Sequence, residues 1–198
     1  MTLEERILSQ NFTEAMLSEY LRNRLQRYGF VESEIQITPV AVRITIKATE
    51  PGRIVGRKGE SIKRLSEEIR RKFNFEKVQI GMIDVEKPFL EPNVVARRIV
   101  SGIERGGRIR SLLHRNLRRI MQAGARGAEI VASGKLGQKG AKARTIKVRA
   151  GYVPKAGEPA RQVKIAKATA YPKPGAIGIV VRIAPPDLKM PGEENESA

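Results

Sequence analysis

Cysteine is absent from this 198-residue chain, and histidine occurs once, at His114. No disulfide or thiolate metal site can form, and a single imidazole excludes histidine-based zinc centres and most nucleophile–histidine pairs. The lack of cysteine also suits a reducing compartment. Tryptophan is missing and aromatic residues make up only 5% of the chain, so any core must be built from Ile, Val, Leu and Ala. The only aspartates, Asp84 and Asp187, lie in different halves, which makes a two-metal carboxylate site hard to assemble. No G-x-x-x-x-G-K-[ST] phosphate loop occurs. No apolar run approaches membrane-spanning length, and the charged start Met1–Arg6 is unlike a secretory signal. The expectation is a soluble, cytoplasmic protein with no catalytic residues, metal, cofactor, small-molecule substrate or membrane partner.

Cations are what the chain has in abundance. The net charge is +17, and it is unevenly spread. Residues 1–85 hold 15 Lys and Arg against 12 acids, whereas residues 86–198 hold 23 against 9. Between Arg97 and Arg182 only Glu104, Glu129 and Glu158 oppose the positive charge. Such crowding is unfavourable on a folded domain unless phosphates neutralise it, so the second half reads as the binding surface for a polyanion. No basic helix with a Trp- or Phe-rich face points to a membrane instead.

Length favours two domains of roughly 90 to 110 residues each. Residues 3–28 read as an amphipathic helix with Leu3, Ile7, Phe12, Met16, Tyr20 and Leu21 as core contacts, stopped by Gly29. Two strands follow, Glu34–Thr38 and Val40–Ala48, the second alternating Val40, Val42, Ile44 and Ile46 with polar or small residues. A short helix, a glycine turn, a helix over Glu60–Phe73 and a strand over Lys77–Val85 complete residues 1–86. Residues 87–92, with Pro88 and Pro92, read as a connector. Residues 93–186 then give two helices, 93–104 and 108–123, and four strands, 128–133, 144–152, 162–171 and 176–183. The whole is α+β, with a two-helix, four-strand second domain. Residues 187–198 read as an acidic, disordered tail.

The segment Ile54-Val55-Gly56-Arg57-Lys58-Gly59-Glu60-Ser61-Ile62 carries the sharpest signal in the first half. Two glycines let a sugar–phosphate backbone approach the main chain at a helix N-terminus, and Arg57 and Lys58 add two charges there. With an apolar pair before it, a strand upstream and an amphipathic helix after it, this resembles the KH domain, whose G-x-x-G loop clamps single-stranded nucleic acid. The helix and strand that precede the loop match the type II arrangement of that fold.

Further blocks widen the resemblance. Residues 51–60, 117–130, 133–136 and 173–183, together with Pro185-Pro186, are similar to the archaeal-type family of small-subunit ribosomal protein three. Membership implies a non-catalytic constituent of the small ribosomal subunit. It implies ribosomal RNA and neighbouring ribosomal proteins of the subunit head as partners, and a place lining the entry path of messenger RNA. Bacterial members carry an Arg-Arg pair and, three residues later, a Lys at the start of the second helix of this domain. The matching places here are Arg110, Ser111 and His114, so only the first cation is kept, and Arg115 and Arg118 are the neighbours that can supply the rest. Messenger-facing candidates are therefore Arg110, Arg115 and Arg118. Ribosomal-RNA candidates are Arg108 and Arg119 on the same helix, and Lys135, Lys139, Lys142, Arg144, Lys147 and Arg149, read as one RNA-facing loop.

Two rival readings stand beside this one. A free-standing KH regulator would use the loop to select messages, and a lysine-dependent lyase would act on nucleic acid, an activity associated with eukaryotic relatives. Tyr20, Tyr28, Tyr152 and Tyr171 are the aromatic side chains able to stack on bases, with Tyr20 the best suited to the core.

Overall fold

The computed structural model describes residues 3–25, 28–38, 41–136, 142–173 and 175–188. The chain divides into two units, Met1–Glu86 and Lys87–Ala198. In the first, helix α1 (Leu3–Leu25) precedes strands β1 (Phe30–Ile37) and β2 (Val42–Ala48). Helices α2 (Pro51–Val55) and α3 (Glu60–Phe73) follow, and then strand β3 (Val78–Asp84). β2 is central, antiparallel to β1 and parallel to β3. This helix and strand order, on a three-stranded mixed sheet, is the type II KH arrangement.

The period of two in β2 sorts its side chains: Val42, Ile44, Ile46 and Ala48 are buried, while Arg43 faces solvent. They pack with Leu17, Leu21 and Leu25 of α1 and with Leu65 and Ile69 of α3. Those leucines fall at i, i+4 and i+8, one stripe of a helix.

Helix α1 departs from expectation in its first half. Phe12 and Met16 are exposed rather than core, and with Leu8 they form a solvent-facing row at four-residue spacing; the side chains of Leu3 and Ile7 lie outside the described residues. A 23-residue helix is about 35 Å long, while strands of seven or eight residues span only about 25 Å. Only its C-terminal half has a sheet to cover.

The second unit places α4 (Pro92–Glu104) and α5 (Ile109–Gln122) on one face of an antiparallel sheet. Its strands are β4 (Gly127–Gly134), β5 (Arg144–Gly151), β6 (Lys164–Ala170) and β7 (Ile177–Ala184), in the order β5-β4-β7-β6. α4 covers β6 and β7, and α5 covers β4 and β5. The inward residues of β7, Ile177, Ile179, Val181 and Ile183, are all buried. Alanines 166, 168 and 170 of β6 lie beneath α4 and let it sit close to the strand.

Four further details differ from the sequence reading. β1 starts at Phe30, four residues before the expected Glu34, and Val40, expected in the second strand, lies outside the described residues. A one-turn helix, α6 (Glu158–Arg161), occupies the approach to β6, which therefore starts at Lys164 rather than 162. The connector is not a free linker: Pro88–Leu90 forms a 3₁₀ turn, and Phe89 and Leu90 pack on the core of the second unit. Leu188, assigned to the tail, is buried, and its carbonyl accepts a 2.7 Å hydrogen bond from the Arg126 guanidinium; residues 189–198 lie outside the described residues.

Ile44 and Ile179 occupy the centres of the two cores at 0% and 1% exposure. Ile44→Ala and Ile179→Ala should each lower stability by about 2–5 kcal/mol in urea unfolding, the range for truncating a buried aliphatic side chain.

Candidate nucleic-acid interface

The glycine loop is built by a change of backbone hand. α2 ends at Gly56 (φ +73°), and Arg57–Gly59 make a 3₁₀ turn in which Lys58 adopts φ +52°. Gly59, at φ +76°, is the N-cap of α3. The two glycines differ in their surroundings. A Cβ on Gly56 would lie 2.2 Å from the Ser61 Oγ, whereas one on Gly59 would meet nothing nearer than the Ile62 methyl at 3.8 Å. Gly56 thus closes the neck of the loop, and Gly59 leaves an open approach to the backbone. No side chain caps α3; its Glu60 N–H donates to the Arg57 carbonyl, and the N–H groups after it turn the positive end of the helix dipole toward an anion. Arg57 and Lys58 are exposed beside them. Ile54 anchors the loop from below at 3% exposure. Glu60 puts a carboxylate on the same helix end, and Arg64 pairs with it at 2.5 Å.

Helix α5 separates core from cations by its period. Leu112, Leu113, Asn116, Leu117 and Ile120 are buried, while Arg110, Ser111, His114, Arg115, Arg118, Arg119 and Gln122 line a shallow hollow of about 790 Å³ on the opposite side. The helix contains no acidic residue. Arg108 is its N-cap and is exposed. Arg119 is partly committed elsewhere: its guanidinium lies 5.7 Å from the Phe89 ring centre, with Arg98 over the same ring at 4.7 Å. The messenger-facing candidates Arg110, Arg115 and Arg118 therefore share one surface, with Ser111 and His114 among them.

The remaining candidates do not form one loop. Lys135 follows β4, Lys142 precedes β5, and Lys139 lies outside the described residues. Arg144, Lys147 and Arg149 are within strand β5. Alternation puts Lys147 and Arg149 on the sheet face that carries no helix, with Arg144 on the other side at the strand end. All of the described members are exposed.

On that open face lies a residue the sequence reading passed over. Glu129 on β4 has a side chain only 2% exposed, yet it holds three cations: Arg182 at 2.6 Å, Lys147 at 2.7 Å and Lys155 at 3.6 Å. Burial works to raise its pKa, but hydrogen bonds from Lys147 and Arg182 and the charges of Lys147 and Lys155 outweigh it and hold the carboxyl below its usual range. The same bond raises the pKa of Lys147. Lys147 is thus oriented by a carboxylate rather than free to swing. The available signal was that Glu129 is the sole acid between Glu104 and Glu158.

Tyr20 is tied into the first unit, its hydroxyl donating to Glu68 at 2.9 Å and its ring edge-on to Phe73. Tyr152 and Tyr171 are exposed. Among the described residues no group of three or more His, Cys, Asp or Glu could hold a metal ion, and no helix is long and apolar enough to cross a membrane.

A type II KH fold with a left-handed glycine turn, joined to an α+β unit that displays arginines along one helix, defines an RNA-binding protein. Comparison with known families agrees and goes further. The KH domain model matches residues 16–90, and the model of the ribosomal protein S3 C-terminal domain matches residues 99–183. The chain is 38% identical over 196 residues to small ribosomal subunit protein uS3 of Methanococcus aeolicus, covering 96% of this chain and 91% of that one. The protein of the same name from Methanocaldococcus jannaschii is 38% identical over 192 residues, with the same coverage. That of Methanocella arvoryzae is 38% identical over 194 residues, covering 98% of this chain and 69% of the relative. The chain belongs to the uS3 family of small ribosomal subunit proteins.

Because the Glu129 pKa is lowered on folding, its contribution to stability is present above the unfolded carboxylate value, about 4.3, and is lost as pH falls through the lower folded value. Glu129→Gln should remove that part of the acid limb when the thermal midpoint is followed from pH 7 down to 2. At pH 7 the substitution should cost about 1–3 kcal/mol, since it leaves Lys147, Lys155 and Arg182 facing one another.

Proposed function

We propose that this protein is a non-catalytic constituent of the small ribosomal subunit that binds ribosomal RNA in the subunit head. In this reading the exposed face of α5 is turned toward incoming messenger RNA, and neighbouring ribosomal proteins of the head complete its surroundings in the cytoplasmic ribosome. The observation that carries the reading is the α5 face, where Arg110, Arg115, Arg118 and Arg119 stand on one side of a helix that has no acid. An arginine fork can hold two phosphate oxygens at once, and a row of them follows a backbone without reading its sequence. Family membership supports the assignment to the small subunit. The departure at Ser111 and His114 moves the messenger contact onto Arg115 and Arg118, a turn further along the helix.

The protein should comigrate with small subunits after a high-salt wash, and its absence from them would overturn the assignment. In titrations against a single-stranded messenger fragment, the triple variant Arg110→Gln, Arg115→Gln, Arg118→Gln should bind more weakly. Its slope of log affinity against log salt should be shallower by about 0.7–0.9 for each phosphate contact removed. The loop is tested separately by Gly59→Asp. That site has room for a side chain, and Asp tolerates the left-handed backbone. A loop that holds RNA should lose affinity through repulsion of phosphate, with the circular dichroism spectrum unchanged. Equal affinity would assign the loop to protein or solvent.

A further inference from the structure

Beside the glycine loop, on its α1 side, lies a cavity of about 680 Å³ that the loop reading leaves unused. Its lining comes from three places in the chain. α2 supplies Arg53 and Ile54 just before Gly56, α3 supplies Ser61, Arg64, Leu65 and Glu68 just after Gly59, and the end of α1 with its following turn supplies Asn23, Arg24, Leu25 and Tyr28. The layers differ in chemistry. Leu25, Ile54 and Leu65 form an apolar floor, each no more than 6% exposed. Tyr28 gives an aromatic wall, and three guanidiniums stand at the rim.

Each rim arginine is aimed by a carboxylate: Arg24 by Glu68 at 3.1 Å, Arg53 by Glu50 at 2.7 Å and Arg64 by Glu60 at 2.5 Å. Glu50 and Glu60 are not among the lining residues, so the cavity itself carries three positive charges against the single negative charge of Glu68. All three pairs are solvent-exposed, and exposed pairs are worth little, so a phosphate can take a share of their donors cheaply. Arg53 also lies 5.9 Å from the centre of the Tyr28 ring. The hydrogen bonds among the described residues leave the Asn23 amide and the Tyr28 hydroxyl unused. The close packing of Gly56 on Ser61 places a hydroxyl where the loop meets the cavity.

An anion-binding rim, a flat aromatic wall, an apolar floor and an amide are together the requirements of one nucleotide. We propose that this cavity is a nucleotide subsite: Arg53 and Arg64 take the phosphate, the base lies against Tyr28, and Asn23 meets the base edge. The occupant is one residue of single-stranded RNA, since the subsite shares the flanks of the loop. This last point rests on the loop reading above. In that case the first unit holds a strand on two sides of α3 and reads one base, where the loop alone reads none.

The test titrates the full-length protein, with isotope-labelled tyrosine rings and arginine side chains, against adenosine 5′-monophosphate, adenosine and inorganic phosphate in separate NMR series. The subsite predicts that the monophosphate shifts the Tyr28 ring and the Arg53 and Arg64 Nε–H signals at lower concentration than either fragment. Tyr28→Leu and Arg53→Gln should each weaken it about fivefold or more. Inorganic phosphate acting as well as the monophosphate would reduce the cavity to an anion site and overturn the proposal. So would an unmoved Tyr28 ring at millimolar nucleotide. A mononucleotide cannot span loop and cavity together, so this titration reads the cavity alone, whereas the Gly59→Asp experiment reads the loop alone.

Discussion

Like charges drive the design of the second unit, because nothing in its own sequence balances them except a few scattered acids. Glu129 answers that constraint locally. Set on an inner strand of the sheet, it gathers one arginine and two lysines around a single carboxylate, which lowers their mutual repulsion without cancelling their charge. The carboxylate is buried only because its partners cover it, so the cost of desolvating it is recovered where the repulsion would be greatest. Cations away from this cluster, such as Arg149 on the same face and the arginines of α5, keep their charge exposed and available to a polyanion.

The two units expose their charge in different ways. The loop of the first relies on backbone geometry, two glycines and a lysine in left-handed conformations that bare a helix end. The helix of the second relies on periodicity, which gathers cations on one side while the other is cemented into the core. The first is a small site with definite dimensions. The second is a track along which a phosphate chain can be held at several places.

Much of this was legible because it rests on periods that sequence preserves. The alternation in β2 and β7 and the apolar stripes of α3 and α5 gave the elements and their buried faces, and five blocks gave the family. The failures have specific causes. Phe12 and Met16 obey helical spacing as well as Leu17 and Leu21 do, and nothing local tells a helix where the sheet beneath it stops. Lys147 and Arg149 look like loop cations because glycines surround them, whereas long-range pairing with β4 makes them strand residues. Glu129 was hidden for the opposite reason: its three partners come from β5, β7 and the segment between β5 and α6, and no spacing in the chain announces their convergence. The α1-side cavity depends likewise on Tyr28 and Arg53 meeting across 25 residues.

The parallel pairing of β2 with β3 bears on how the first unit comes to exist. Val42 lies opposite Val78, 36 residues further on, and α2, the glycine turn and α3 form the crossover between the two strands. Closing so long a connection is slow and entropically costly compared with forming a hairpin such as β1–β2. The turn is held between two helices seated on the sheet, so its left-handed shape rests on strand pairing 36 residues apart. The loop is thus a product of the whole first unit rather than of its own few residues.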